Sequence, residues 1–258
     1  ATTNAGLVNF VKTTVAVNNP SPGSGAKTAD TIQDIKNNAV ANFATQNRLV
    51  TREDYIIRAY SMPSKYGSVS KAYIVPDDQI AQQDYQESRI PNPLAMNMYV
   101  LGFNESKQLV ELNQAIKENL KTYLDYYRIL TDAVNIKDAF IINIGVDFEI
   151  SVLPNYNSNE VLLNCINALK SLFDVDRWQI NQPIIKSDIT TTISNVKGVQ
   201  SVIGMTLKNL YDTDFGYSGN IYDLTTATKN GVIYPSLDPS IFEIKFPNRD
   251  IKGRVVNY

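Results

Sequence analysis

With 258 residues, 43% of them hydrophobic and 19% charged, the chain has the composition of a globular protein large enough to bury a substantial core. A net charge of −2 supplies no polybasic field for nucleic acid or an anionic membrane, and no apolar run reaches the length of a membrane span. There is no histidine and a single cysteine, Cys165, which removes the material for histidine triads, for the usual zinc and iron sites and for an intrachain disulfide.

The chain begins at Ala1 and runs almost at once into a strand-like stretch, VKTTVAV (11 to 17), as expected of a processed product or a piece of a longer protein. After the loop NNPSPGSGAKTAD (18 to 30), Ile32, Ile35, Ala39, Val40 and Phe43 fall on one face of a helix over 31–43. Thr51 and Asp54 form a capping box that starts a short helix to about Tyr60. KAYIVPDD reads as a strand, a polar loop runs to about Pro93, and MNMYVLG (96 to 102) reads as a second strand. Leu109, Leu112, Ile116, Leu120, Tyr123, Leu124 and Tyr127 recur at spacings of three and four, which predicts a long helix from Glu105 to Arg128.

AFIINIGVDFEISV (139 to 152) is the clearest strand. Phe140, Ile142, Ile144, Val146, Phe148, Ile150 and Val152 alternate with Asn143, Asp147, Glu149 and Ser151, a pattern of a sheet covered on one face and favouring antiparallel pairing. Helices follow at 158–173 and 187–198, the latter ending at Gly198, then a strand VQSVIGMTLKN, a turn-rich loop YDTDFGYSGNIYD, and a last strand SIFEIKF (240 to 246). This order predicts an α+β fold of antiparallel or mixed sheets covered on one face by amphipathic helices, in two to three small subdomains. Boundaries expected near 60–70 and 130–138 divide it into an N-terminal strand and helical segment (1–70), an α+β subdomain with the long helix (71–135), and a C-terminal α+β module with a loop-rich tail (136–258).

Four features invite a chemical reading. The loop at 18–30 has Lys27 and Thr28 of a phosphate loop, but Ser21 and Ala26 occupy its two glycine positions, and Pro20 and Pro22 remove N–H donors; it reads as a connector. Asp212, Asp214 and Gly216 have part of a calcium-loop spacing without the remaining ligands, so no metal is expected there. Asp147 and Glu149 lie at i and i+2 on the polar face of the long strand, where a carboxylate pair could run a cell-wall hydrolase but solvated side chains are expected anyway. Cys165 falls on an apolar helix face, and Trp178 reads as an anchor at a helix end. No enzymatic centre and no cofactor is expected. Fifteen tyrosines remain; Tyr211, Phe215, Tyr217 and Tyr222 crowd one segment, and such rings are favoured where proteins meet. These four are the candidate protein-interface residues. The competing use of Trp178 and the 211–222 aromatics is a receptor- or carbohydrate-binding site.

VTREDYIIRAY (50 to 60) followed by SVSKAYIV resembles the central part of the baseplate J-like family of contractile-tailed phages. The glycine loop before an acidic helix, PGSGAKTADTIQDI, is similar to that family's, although Ala26 and Lys27 depart from its glycine–acidic pairing. LLNCINALKSLF and WQINQPIIKSDITTTISNVKGVQSV are similar to its C-terminal module. The resemblance covers most of residues 11–207. It implies a virion component of the tail baseplate, assembled in the host cytoplasm. Such a protein pairs with itself within each wedge, contacts other wedge proteins, and joins neighbouring wedges into the ring around the hub.

Overall fold

The computed structural model describes residues 48–76 and 95–256, together with Phe10, Ile32 and Lys36. The glycine loop at 18–30 and the polar loop before Pro93 lie outside these residues, as does the expected helix at 31–43 apart from Ile32 and Lys36, which are helical.

Helix α1 (Arg52–Tyr60) starts where the capping box predicts: Asp54 N–H donates to the Thr51 hydroxyl at 3.2 Å, and Thr51 N–H donates back to the Asp54 carboxylate at 2.9 Å. It buries Tyr55 and Ala59 and sets the Arg58 guanidinium 4.0 Å over the Tyr127 ring. Strand β1 (Lys71–Pro76) pairs antiparallel with β2 (Ala95–Phe103), which also pairs with β3 (Leu109–Val110) and with β4 (Ala133–Asp138). Alternation divides this sheet between two cores. Ala72, Ile74, Met98 and Val100 pack with Leu120 and Leu124 of helix α2 (Gln114–Asp125), whereas Val75, Tyr99, Leu101 and Leu109 join the core of the C-terminal half.

The long helix expected from Glu105 begins only after Asn113, whose side chain accepts the Ala115 N–H. The preceding residues form the β2–β3 hairpin, because the Asn104 carboxamide accepts N–H groups from Ser106 and Gln108 while Lys107 turns at φ 57°. Leu109 and Leu112 match the helical spacing, but their side chains fill two different cores.

Strand β5 (Phe140–Val152) organises the second sheet. Helix α3 (Ser158–Leu172), the short β6 (Ile184–Ile185) and helix α4 (Lys186–Ser194) follow, then β7 (Val199–Asn209), which pairs antiparallel with β5. A small sheet joins β6 to β9 (Val232–Ile233) and β9 to β8 (Thr228–Lys229). Strand β10 (Ser240–Glu243), the single turn α5 (Pro247–Asp250) and β11 (Ile251–Val255) follow, both strands lying parallel to β5. The fold is α+β with mixed and antiparallel sheets.

Two expectations for β5 change. It has two parallel partners, and residues 141–146, Asn143 among them, are buried on both faces, so one-sided alternation holds only from Asp147 onward. Phe140, placed on the apolar face, is 47% exposed. Helix α4 stops at Ser194, and Gly198 sits in the following turn at φ 98°. The strand expected last, over 240–246, ends at Glu243 and is followed by the further strand β11.

Helix α3 lies over β11, and the approach depends on Gly253: a Cβ there would sit 2.4 Å from Phe148 Cζ and 2.6 Å from Leu162 Cδ1. Gly253→Ala is therefore expected to destabilise the fold by about 1–3 kcal/mol through overpacking. Gly204→Ala, with nothing within 4 Å of its Cβ position, leaves urea unfolding unchanged or slightly later.

The two halves also meet through Lys71, buried on β1, whose ammonium donates to the Asp176 carbonyl at 3.0 Å, and through Tyr73, whose hydroxyl accepts from Asn181 at 3.1 Å. Burial lowers the Lys71 pKa to about 8 despite the nearby Asp176 and Asp174. The unfolded chain keeps that proton to higher pH, so the folded state is penalised below about pH 8 and the penalty is relieved as pH rises toward about 10. Stability measured by denaturant across that window should climb in the native chain, and Lys71→Met should remove that part of the slope.

Candidate functional site

The segment carrying Tyr211, Phe215, Tyr217 and Tyr222 leaves the end of β7 and returns to the body of the second sheet. Asn209 anchors both ends: its amide donates to the Asn143 carbonyl at 3.1 Å, and its oxygen accepts the Tyr222 N–H at 2.9 Å. Asp212 starts a 3-10 turn over Thr213–Phe215 by accepting the Asp214 N–H at 3.0 Å, and Gly216 closes it at φ 84°. That is the role of the aspartate-glycine spacing. Among the described residues no group of three or more His, Cys, Asp or Glu side chains is arranged to hold a metal ion.

The return limb is stitched to β5. Ser218 N–H donates to Asn143 Oδ1 at 2.7 Å, and the Ser218 hydroxyl and Asn220 amide both donate to the Ile141 carbonyl. Asn143 in turn donates from Nδ2 to Glu243 Oε2 at 2.8 Å, and Glu243 Oε1 accepts the Leu109 N–H at 2.7 Å. Asn143 and Glu243 are both buried. Burial raises the Glu243 pKa, while the Leu109 N–H, the Lys245 charge and the Asn143 bond act the other way.

The four candidate rings divide in two. Tyr217 donates its hydroxyl to Asp250 Oδ1 at 2.6 Å, meets Phe246 edge-on at 5.7 Å and lies beneath the Arg249 guanidinium at 4.9 Å. Burial, together with the Asp250 bond, holds its hydroxyl above the usual tyrosine range. Tyr222 donates to the Tyr234 carbonyl at 2.7 Å and packs 6.0 Å from Phe242. Tyr211 and Phe215 point to solvent, 51% and 63% exposed. Both line an open depression of about 510 Å³ with Asn209, Leu210, Asp212, Thr213 and Tyr217.

The other singled-out residues are occupied structurally. Asp147 pairs with Lys208 at 2.5 Å and Glu149 with Arg254 at 2.7 Å, each carboxylate matched to a neighbouring strand on the solvent face of the sheet. Cys165 is fully buried on α3, and burial raises its thiol pKa to about 11. Trp178 is buried 5.4 Å from Phe173 just beyond the end of α3, its Nε1 without an acceptor among the described residues. It is not placed to share a ligand surface with exposed rings. Sequence reasoning missed Asn143, Asn209, Ser218, Glu243 and Arg249, which hold the loop. The legible signal was a polar Asn143 between Ile142 and Ile144 in the stretch 140–146, which has no other polar side chain.

No protein-family model matches the chain, and no curated protein sequence matches it. Among solved structures, a chain of the anti-feeding prophage baseplate, determined by cryo-EM with six-fold symmetrisation, is similar at a TM-score of 0.50 and 13% identity over 83% of this chain. The likeness is one of fold. The chain covers 42% of the length of that baseplate chain.

Because both Glu243 oxygens accept from fixed donors, an amide in its place must turn one NH₂ toward a donor. Glu243→Gln should therefore cost about 1–3 kcal/mol in chemical denaturation, and exchange at the Ser218 or Leu109 amide should speed up with it.

Proposed function

We propose that this chain is a structural, non-enzymatic component of a contractile-phage tail baseplate. Within it the chain belongs to the wedge and self-associates as part of the ring around the hub. The observation that carries the reading is the likeness of fold, over 83% of the chain, to a chain of a six-fold symmetrised baseplate. The family resemblance of VTREDYIIRAY and the segments after it supports the same reading. The tyrosine- and asparagine-rich residues 208–258 resemble in particular the C-terminal part of the larger wedge protein of T-even phages, gene product six. On this reading the partners are a second copy and other wedge proteins, not nucleic acid or membrane. The protein acts in the virion tail after assembly in the host cytoplasm.

The contact surface proposed is the 211–222 segment. Tyr211 and Phe215 supply exposed aromatic area, while Tyr217 and Tyr222 fix the backbone that presents them. Preorganisation of this kind lowers the ordering cost of association. A second reading, a receptor- or carbohydrate-binding module, draws on the same two rings beside the open depression.

Sedimentation velocity over a wide concentration range tests the choice. A dimer persisting into the low micromolar range is expected, with Tyr211→Ser weakening it about tenfold or more and leaving the thermal midpoint unchanged. A chain monomeric at every concentration that binds host cells, and loses that binding in Tyr211→Ser, would establish the binding-module reading instead.

A further inference from the structure

Strand β7 pairs with β5 along one edge and, among the described residues, with no strand along the other. An open edge is a row of backbone donors and acceptors ready to take another strand, and proteins blunt such edges with bulges, prolines and lysines. Here the blunting covers only half the strand. Register shifts leave Gln200 and Ile203 without ladder partners on β5, whereas Gly204 to Asn209 oppose Glu149 to Ile144 one for one. That regular half contains no proline and one charge, Lys208, which is turned to Asp147 on the solvent face of the sheet.

The direction of each amide follows from the ladder. Leu210 N–H donates to the Asn143 carbonyl, and in an antiparallel pair successive residues alternate between bonding inward and outward. Gly204, Thr206 and Lys208 therefore bond to β5, and Met205, Leu207 and Asn209 present their N–H and C=O outward.

We propose that this half-edge is the contact with a second copy of the chain, two β7 strands pairing antiparallel across a two-fold axis at Leu207. The proposal rests on the self-association argued above and assigns its interface. In this register Met205 opposes Asn209 and Thr206 opposes Lys208, so the one charge meets a hydroxyl and not its own copy. Four residues to either side of Leu207 lie Ile203 and Tyr211, 38% and 51% exposed. Pairing brings the Tyr211 ring of each copy beside the bulged Ile203 of the other, twice by symmetry, the self-complementarity that a two-fold interface requires. Neighbouring registers lose this match. An axis at Thr206 sets Ile203 against Asn209, an axis at Lys208 sets the one charge against its own copy, and an axis at Met205 sets the regular half against the bulges.

Hydrogen–deuterium exchange of the full chain, read at single amides below and above the association concentration, tests this. The outward amides of Met205, Leu207 and Asn209 should exchange freely when dilute and slow about tenfold or more when associated. The inward amides of Thr206 and Lys208 are protected in both. Ile203→Lys and Tyr211→Asp should each weaken association, and the two together in one chain should restore it by setting opposite charges side by side. Association with the outward amides still exchanging freely would overturn this interface and leave the self-association reading standing. A chain that never associates would overturn both.

Discussion

The structure turns on a buried chain of hydrogen bonds with a fixed polarity. Ser218 N–H donates to Asn143, Asn143 donates to Glu243, and the second Glu243 oxygen takes the Leu109 N–H. Four separate pieces of chain meet there: the return limb of the loop, the central strand β5, the strand β10 and the hairpin strand β3 of the other sheet. A buried carboxylate is costly unless its oxygens are satisfied by well-placed donors. Glu243 meets that condition only when both sheets are docked, and the loop adds the Ser218 N–H that fixes the Asn143 carboxamide donating to it. The raised pKa of Glu243 is the residue of that desolvation cost.

This constraint explains how a turn-rich loop can present aromatic rings in a defined place. From Leu210 to Tyr222 the backbone is tied down by Asn143 and Ile141 on β5, by Asn209 at both its ends, and by Asp250 through Tyr217. Arg249 adds a guanidinium over the Tyr217 and Phe246 rings and a bond from its NH2 to the Phe215 carbonyl at 3.2 Å. Loops that carry function on a rigid scaffold are the common arrangement. Here the anchoring tyrosines and the exposed ones differ by which has a polar partner within reach, a distinction set by the α5 corner and the Tyr234 carbonyl rather than by the loop's own composition.

That distinction marks the limit of what the amino-acid sequence could show. Local chemistry was readable: the Thr51–Asp54 box starts α1 as expected, the α3 periodicity holds, and β7 occupies the stretch VQSVIGMTLKN. Features that depend on a distant partner were not. AVNIKD falls at the division expected near 130–138 and no strand was expected over IKGRV, yet both become strands because β2 and β5 offer parallel edges. The helical spacing through Leu109 is an accident of two cores lying on either side of one sheet. The four candidate rings were grouped by closeness in sequence, and only the fold separates Tyr217 and Tyr222, which hold, from Tyr211 and Phe215, which face out.

The edge of β7 is bounded by its neighbours in the same way. A bulge costs ladder bonds and is kept where it re-aims or ends pairing. Bulges at Gln200 and Ile203 guard the half of the strand near α4, and if guarding the edge were their only use, the other half would need guarding as well. It has no bulge, and it runs straight into the loop that Asn143, Ile141 and Asn209 tie down. An edge closed at one end by bulges and at the other by a fixed aromatic turn admits a strand of limited length in few registers. A bounded edge of this kind specifies a partner, whereas an unbounded one invites aggregation.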